Sequence, residues 1–479
     1  MEYVITGRQP ASLFRFFEEI SAIPRASYNE KAVADYLEDF AAKRGLYCYR
    51  DELHNVLIKK PATPGCEGRE PILFQGHTDM VCEKNAGVDH DFSTEGIKLW
   101  VDGDLLRAMG TTLGADNGVA VALMLAILDG AVESHPAVEC LFTTAEEVGL
   151  NGSHGFDYSK ISARRMLNAD SEALGTITCG CAGGVRSEVR LPLEVEPFSG
   201  NALRVSVGGL MGGHSGENIN CGRANANKLM GRLLAGLKSV GEVRLIEVNG
   251  GSKDNAIPRE CVALLAVTDA EAVTAAIEEQ AEQIARELVS EDRGFTVTVE
   301  DSAPEAVMLT RVCTARAVAL LAASANGVFE MSRNVSGLVE FSRNLGVVRT
   351  LSDAMEFVFA ARSAIESRLD ASICEIDALA EVLGATTRHH SRYPGWDFAP
   401  TSDLREAYIK AYRDVTGETA KVNVIHAGLE CGIIYSHLPD MDIISVGPNL
   451  HDLHSPDESL ELDSVETFWK TVVRLLQIL

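Results

Sequence analysis

The sequence predicts an α/β protein with a three-layer domain built on a mostly parallel central sheet, interrupted by an inserted α+β domain. Strand candidates at residues 55–60, 72–75, 139–144 and 166–168 alternate with helical patterns. Residues 118–128 are apolar almost all round, which is typical of a helix buried against a sheet. Polar residues directly follow several of these strands, at the edge where open α/β sheets bind ligands.

The order of the elements predicts a discontinuous first domain. Residues 11–46 show helical spacing of apolar side chains. From about residue 187 the pattern changes to half-buried strands at 186–191, 203–207 and 295–299, with a long helix over 271–291. Residues 393–400 resemble a linker, after which a helix over 403–415 and a strand over 443–446 return to the first sheet. We therefore expect one domain from residues 1–186 and 399–479, and an insert of residues 187–398.

The charge balance excludes several classes of function. The chain has 43 Lys and Arg against 69 Asp and Glu, a formal net charge of −26. Such a chain repels nucleic acid and anionic lipid, but its carboxylates suit divalent cations. The longest apolar run, residues 119–128, is far below the roughly 18–20 residues that span a bilayer. We expect no nucleic-acid partner and no membrane contact.

The cysteines and the N-terminus favour a cytoplasmic protein. The eleven cysteines are an odd number and are scattered along the chain, which is typical of free thiols in a reducing compartment. Residues 1–6 lack the basic and apolar stretches of a signal peptide.

Five short polar clusters follow predicted strands or lie in loops. They are Gly76-His77-Thr78-Asp79, residues 114–118, Glu146-Glu147, residues 168–170 and His454-Ser455-Pro456-Asp457-Glu458. Each cluster alone indicates no more than a helix cap or a solvated side chain. Together they supply the imidazole and carboxylate ligands that zinc, manganese or cobalt prefer. A pair of such ions needs a bridging carboxylate and would offset the repulsion among the acids.

These clusters carry a family resemblance. In their order they resemble the dinuclear-zinc aminopeptidase/carboxypeptidase superfamily, which includes aminoacylase and carnosinase. The segments 76–82, 110–119, 212–216, 255–259, 426–432 and 454–458 further resemble the bacterial aminoacyl-histidine dipeptidases, also called cytosolic non-specific or beta-alanyl-histidine dipeptidases. The resemblance runs from about residue 10 to the C-terminus.

The resemblance implies five metal ligands: His77, Asp116, Glu147, Asp170 and His454. Asp116 would bridge two ions, with His77 and Asp170 completing one site and Glu147 and His454 the other. His451 is the alternative to His454.

The resemblance also assigns two carboxylates that bind no metal. Asp79 would fix the ring of His77, and Glu146 would be the general base. A cis peptide bond between Asp116 and Asn117 is a further expectation.

The resemblance implies substrate contacts within the insert and in a later loop. His214 would bind the scissile carbonyl in the transition state, although a histidine in a glycine-rich loop is also typical of a plain turn. Asn255 and Arg362 would hold the C-terminal carboxylate, with a surface ion pair as the alternative for Arg362. Gly428 and Glu430 would lie near the substrate, with Glu430 meeting its amino group.

The implied activity is a metal-dependent dipeptidase acting on Xaa-His and other unblocked dipeptides through a metal-activated water. Its cofactors would be two divalent ions, zinc in the first place and cobalt or manganese otherwise. The first domain would be catalytic and the insert a lid that closes over it, through which a homodimer would form. The alternatives are an aminoacylase or tripeptidase of the same superfamily, or a catalytically silent protein that binds metal or peptide.

Overall fold

The computed structural model describes residues 3–303, 306–333 and 335–479, which form two compact units. Unit 1 comprises Met1–Cys181, Trp396–Val424 and Leu429–Leu479. Unit 2 comprises Ala182–Gly395 and Ile425–Gly428. The predicted boundary between residues 186 and 187 falls inside one strand, Gly183–Pro192. The functional roles of the two parts stay predictions.

The elements alternate in the first segment and become strand-rich in the second. Up to Cys181 the helices are α1 (Ala11–Ser21), α2 (Lys31–Arg44), α3 (Ala115–Asp129) and α4 (Asn151–Gly155). The strands there are β1 (Tyr47–Arg50), β2 (Val56–Lys60), β3 (Ile72–His77), β4 (Leu99–Asp102), β5 (Leu105–Ala108), β6 (Val138–Thr143), β7 (Arg165–Asn168) and β8 (Thr176–Cys181).

The next segment, up to Gly395, has helices α5 (Ala226–Gly236), α6 (Ala270–Ala285), α7 (Arg311–Ala323) and α8 (Glu366–Leu383). Its strands are β9 (Gly183–Pro192), β10 (Val195–Pro197), β11 (Asn201–Gly208), β12 (Gly213–His214), β13 (Val243–Gly250), β14 (Ala256–Ile257), β15 (Cys261–Val267), β16 (Thr296–Ser302), β17 (Val307–Leu309), β18 (Gly327–Met331), β19 (Val339–Thr350), β20 (Ala354–Ser363) and β21 (Thr386–Tyr393).

The last segment has helices α9 (Asp403–Thr416), α10 (Glu430–His437) and α11 (Leu462–Ile478). Its strands are β22 (Lys421–Ile425), β23 (Asp442–Ser445), β24 (Leu450–His451) and β25 (Ser459–Glu461).

Unit 1 is built on an eight-stranded sheet in the order β1-β2-β6-β3-β7-β23-β8-β22. The inner strands β6, β3, β7 and β23 run parallel to their neighbours in this group, while β1 and β2 pair antiparallel at one edge. Every residue of β3 and β6 is buried, as expected for parallel strands covered on both faces. The predicted fold class is confirmed, and β23 joins the sheet of the first segment as expected.

Helices share one hydrophobic core with this sheet. The buried side chains of α1, α3, α9 and α11 belong to the same cluster as Phe74 of β3 and Phe142 of β6. Helix α3 has no polar face from Val119 to Leu128, because all ten of these residues are apolar and buried. Burial of each large apolar side chain contributes about 1.5–3 kcal/mol, so this core holds the inner strands rigidly.

Unit 2 contains a separate, largely antiparallel sheet. Its strands follow the order β16-β11-β15-β13-β19-β20-β9-β21, and β18 pairs with β19. Helices α5, α6, α7 and α8 contribute buried side chains to a second core cluster with these strands. The predicted α+β insert is confirmed as a mixed domain with an antiparallel sheet.

One predicted helix is shorter than expected. The helix predicted over 271–291 ends at Ala285, and a single 3-10 turn follows at Ser290–Asp292. The Asp292 carboxylate is buried and accepts hydrogen bonds from the backbone N–H groups of Met211 and Ala224, both at 2.8 Å. These long-range bonds hold Asp292 against a loop, so the chain leaves the helix before it.

In the described part of the chain, no helix combines the length and the apolar composition that crossing a membrane requires.

Candidate functional site

The parallel strands of unit 1 bring the predicted ligands to one edge of the sheet. His77 ends β3, Asp116 lies in the first turn of α3, and Glu147 lies in the loop after β6. Asp170 follows β7, and His454 lies between β24 and β25. Because the carboxyl ends of parallel strands meet at the same edge, β3, β6 and β7 deliver their residues together.

The potential ligand atoms form three overlapping groups, and within each group all lie within 4.8 Å of one another. The groups are His77-Asp116-Asp170, His77-Glu146-Glu147 and Asp116-Glu147-His454. All five predicted ligands therefore lie in these groups, and His451 lies in none.

Asp116 lies between the two histidines. Its Oδ1 is 3.1 Å from Nε2 of His77, and its Oδ2 is 3.3 Å from Nε2 of His454. Asp170 Oδ1 is 3.6 Å from the same nitrogen of His77, and Glu147 Oε2 is 3.2 Å from that of His454. One carboxylate thus presents one oxygen to each half of the cluster, as a bridging ligand would.

The donors fit divalent cations. Imidazole nitrogens and carboxylate oxygens are the ligand set of zinc and related ions. Glu147 Oε1 is buried and has no hydrogen-bond partner among the described residues. A buried oxygen without a partner is costly, and a cation bound there would satisfy it.

The electrostatics of the metal-free cluster reflect crowded acids. Burial raises the pKa of Glu146 far above its ordinary value, and the charges of Asp170 and Glu147 add to this rise. Burial likewise raises the pKa of Asp170 to about 6, against the lowering effect of His77. Hydrogen bonds to Asp116 and Glu147 raise the pKa of His454 to about 10. Bound cations would replace these protons and stabilise the ionised carboxylates.

Asp79 connects His77 to the loop that carries the two glutamates. Its Oδ1 lies 3.3 Å from Nδ1 of His77, the ring nitrogen that faces away from Asp116. The same carboxylate accepts backbone N–H groups from Glu146 at 3.1 Å and Glu147 at 3.3 Å. Burial opposes the charge, but the hydrogen bond and the positive charge of His77 hold the pKa of Asp79 below its usual value.

Two further residues, Arg25 and Glu458, hold the ligand segments in place, and sequence reasoning gave neither a role. The Glu458 carboxylate accepts backbone N–H groups at the start of α3 from Leu113, Gly114, Ala115 and Asp116, at 2.7–3.4 Å. Glu458 belongs to the conspicuous segment 454–458, but only the fold shows which backbone it binds.

Arg25 is only 2% exposed and supports the loop after β3. Its guanidinium donates to the carbonyl oxygens of Thr78 at 3.0 Å and Asp79 at 3.2 Å, and also to that of Gly114. It therefore joins the His77 segment to the Asp116 segment. No motif in the sequence marks this arginine.

The peptide bond between Asp116 and Asn117 is cis, as expected. The Asn117 side chain donates to Asp170 Oδ1 at 2.6 Å.

Glu430 is fully buried at the start of α10. Its Oε2 accepts from Gln75 Nε2 at 2.5 Å and from Thr143 Oγ1 at 2.7 Å. Burial raises its pKa to about 7. Oε1 is also buried and has no hydrogen-bond partner in the described part of the chain. The predicted contact with a substrate stays a prediction.

The other predicted substrate contacts lie in unit 2, where Arg362 and His214 lie close together. Arg362 of β20 is 6% exposed and makes no ion pair with any described residue. One of its Nη atoms lies 3.4 Å from His214 Nε2, and the other donates to Tyr393 Oη at 3.0 Å. Asn255 precedes β14, and its carbonyl accepts the N–H of Ser215 at 2.8 Å. The guanidinium of Arg362 is therefore a buried positive charge without a negatively charged partner among the described residues.

His426, to which the sequence analysis assigned no role, also lies near Arg362 and His214. Its Nε2 lies 2.7 Å from Ser342 Oγ. Burial, with the charge of Arg362 and the nearby His214, lowers the pKa of His426 to about 3. The imidazole is therefore neutral at physiological pH.

Comparisons with known proteins agree with this arrangement. The model of peptidase family M20/M25/M40 matches residues 73–478. The chain is similar to the cytosol non-specific dipeptidase of Escherichia coli strain K12, with 37% identity over 472 residues, 98% of this chain and 97% of that protein. It is also similar to the crystal structure of an aminoacylhistidine dipeptidase from Vibrio alginolyticus, with 37% identity, coverage of 98% and 97%, and a TM-score of 0.92. A likeness of fold alone extends to the aminopeptidase PepT of Bacillus cereus, with 15% identity, coverage of 98% and 99%, and a TM-score of 0.57.

We predict that Glu458→Gln lowers the free energy of unfolding of the metal-free protein by about 1–3 kcal/mol. An amide has one acceptor oxygen, so buried backbone N–H groups at the start of α3 lose their partner. Denaturant unfolding measures the change, with the exposed neighbour Asp457→Asn as the control. Equal stability of the two variants would contradict the role of Glu458.

Proposed function

The chain belongs to peptidase family M20/M25/M40, and we propose that it hydrolyses unblocked dipeptides, Xaa-His among them, at a pair of divalent cations. The main structural support is that two groups of potential ligand atoms in unit 1 share Asp116. The names of the two relatives at 37% identity support the substrate class. The first of these names also supports a cytoplasmic location for this chain.

The proposed ligands divide into two sets around one bridging carboxylate. His77 and Asp170 would hold one cation with Asp116, while Glu147 and His454 would hold the other with Asp116. Two bound cations would polarise the scissile carbonyl and lower the pKa of a water molecule between them. Zinc suits this donor set best, and cobalt or manganese are the alternatives.

Glu146 is proposed as the general base. It lies beside Glu147, and its carboxylate groups with His77. Burial raises the pKa of Glu146 in the metal-free protein, and the positive charge of bound cations would keep its carboxylate ionised and able to accept a proton. It would take the proton of the attacking water and then deliver it to the leaving amine. Asp79 would keep the His77 ring in place through Nδ1.

The buried Arg362 of unit 2 supports recognition of a carboxylate. Arg362 offers a buried guanidinium that no described acid neutralises, and this fork matches a carboxylate with two parallel bonds. Asn255 would assist it. His214, whose pKa is lowered by burial and by Arg362, would donate to the carbonyl oxygen of the reacting peptide.

Two further proposals concern the substrate and the assembly. Gly428 and Glu430 are proposed to lie along the substrate. A homodimer is proposed to form through unit 2.

We predict that the purified protein hydrolyses β-alanyl-histidine and simple dipeptides, but cleaves tripeptides and acetylated amino acids poorly. Removal of divalent ions by a chelator would abolish the activity, and added Zn²⁺ would restore it. The measurement is the rate of release of free amino acids from this panel. Preferential cleavage of a tripeptide or an acetylated amino acid would favour the tripeptidase or aminoacylase alternative. Full activity after chelation would contradict the metal-dependent mechanism.

We predict that Glu146→Gln lowers kcat by about 10²–10⁴-fold, because the neutral amide cannot take up a proton. Metal content, measured by elemental analysis, should stay as in the unmodified protein, since Glu146 is not a proposed ligand. Glu52→Gln, at an exposed position of unit 1, is the matched control. Loss of metal together with activity would show that Glu146 acts as a ligand instead.

A further inference from the structure

The last residues of β21 are irregular in a way that redirects Tyr393. Strand β21 pairs with β9 so that His390 lies opposite Arg186 and Tyr393 opposite Gly184. One strand advances by three residues while the other advances by two, which defines a bulge of one residue. Ser391, inside this bulge, has a φ of 50°, a conformation that costs a non-glycine residue energy. Since one extra residue exchanges the two faces of a strand, the bulge determines the face on which Tyr393 lies.

Tyr393 belongs to a row that crosses three strands of unit 2. Gly184 of β9 lies opposite Tyr393 of β21 on one side and opposite Arg362 of β20 on the other. Gly184 has no side chain, so the tyrosine ring can pass over it toward Arg362. A Cβ atom at Gly184 would lie 2.6 Å from Tyr393 Oη and 2.7 Å from Cζ. The ring therefore occupies the space that any other residue at position 184 would fill.

A second glycine, Gly428, also borders the tyrosine ring. A Cβ atom at Gly428 would lie 2.8 Å from Tyr393 Cε2. The ring thus lies close to two backbone positions without side chains. This close approach restricts the ring and the direction of its hydroxyl group.

The hydroxyl group meets the guanidinium without neutralising it. Arg362 donates to Tyr393 Oη at 3.0 Å, and its Nε has no hydrogen-bond partner among the described residues. A carboxylate in place of the hydroxyl would orient the guanidinium but would also compete with an incoming anion. A tyrosine orients the arginine and leaves its positive charge available.

We propose that Tyr393 is a positioning residue that fixes the Arg362 guanidinium for the substrate carboxylate, and thereby favours peptides with a free C-terminus. The inference rests on the proposed function, in which Arg362 binds that carboxylate. Tyr393 acts through Arg362 and touches none of the reacting atoms. Its removal should therefore affect binding more than chemistry.

Tyr393→Phe tests the proposal, because it deletes the hydroxyl group and keeps the ring. In the full, metal-loaded chain we expect KM for a dipeptide to rise by about 10-fold or more, as for loss of a hydrogen bond to a charged group. We expect kcat to change by less than about threefold. Tyr47→Phe, at an exposed tyrosine of unit 1, is the matched control and should leave both constants unchanged.

Two competitive inhibitors then separate positioning from a general effect. One is a dipeptide with a reduced peptide bond and a free carboxylate, and the other is its C-terminal amide. Tyr393→Phe should raise the inhibition constant of the carboxylate form by about 10-fold and leave that of the amide unchanged. In combination with Arg362→Lys, the further loss caused by Tyr393→Phe should be smaller than in the unmodified enzyme, because the two residues act as one unit.

Equal weakening of both inhibitors, a fall in kcat alone, or no change would overturn the proposal while leaving the dipeptidase assignment intact. If the unmodified protein hydrolyses no dipeptide, the proposed function itself fails, and this inference fails with it.

Discussion

The site depends on one constraint, the repulsion among carboxylates that the fold gathers at the edge of the unit 1 sheet. Asp116, Glu146, Glu147 and Asp170 have oxygens in overlapping groups with His77. Burial and mutual repulsion raise the pKa of Asp170 to about 6, and that of Glu146 far above its usual range. Divalent cations are the simplest source of the positive charge that would keep these groups ionised together. In the proposed arrangement five ligands hold the cations and Glu146 is the base.

Buried side chains that bind backbone groups hold the ligand segments in this arrangement. Asp79 binds the His77 ring and the N–H groups of the two glutamates, so one carboxylate ties two ligand segments together. Arg25 connects the loop after β3 to the segment before α3. Glu458 binds the backbone at the start of α3. All three side chains are almost fully buried, where hydrogen bonds to charged groups are strong and their loss is costly. In unit 2, the neutral hydroxyl group of Tyr393 accepts a hydrogen bond from Arg362, which is compatible with the proposed role of this arginine in binding a carboxylate.

The strands could be predicted because they leave local signals, and the polar clusters at their ends are visible in the sequence. The choice of individual metal ligands came from the family resemblance and stays a prediction. Strand β3 begins with the apolar run Ile72-Leu73-Phe74 and ends at His77, and α3 has no polar face from Val119 to Leu128. Arg25 and Glu458 could not be predicted, since each acts on backbone far away in the sequence and neither stands in a periodic pattern. The position of the Tyr393 ring depends on a bulge in its own strand and on a glycine of the neighbouring strand. No local sequence pattern indicates either. The predicted end of the helix at residue 291 was wrong for a related reason. The helix ends at Ala285, and Asp292 is held by a hydrogen bond to the distant Met211, which helical periodicity does not reveal.

The proposed bridging role of Asp116 can be tested by calorimetric titration of Zn²⁺ into the metal-stripped protein. We expect two equivalents to bind per chain, and we expect Asp116→Asn to weaken the binding of both while Asp457→Asn behaves as the unmodified protein. A single equivalent, or an unchanged pair of sites in Asp116→Asn, would contradict it.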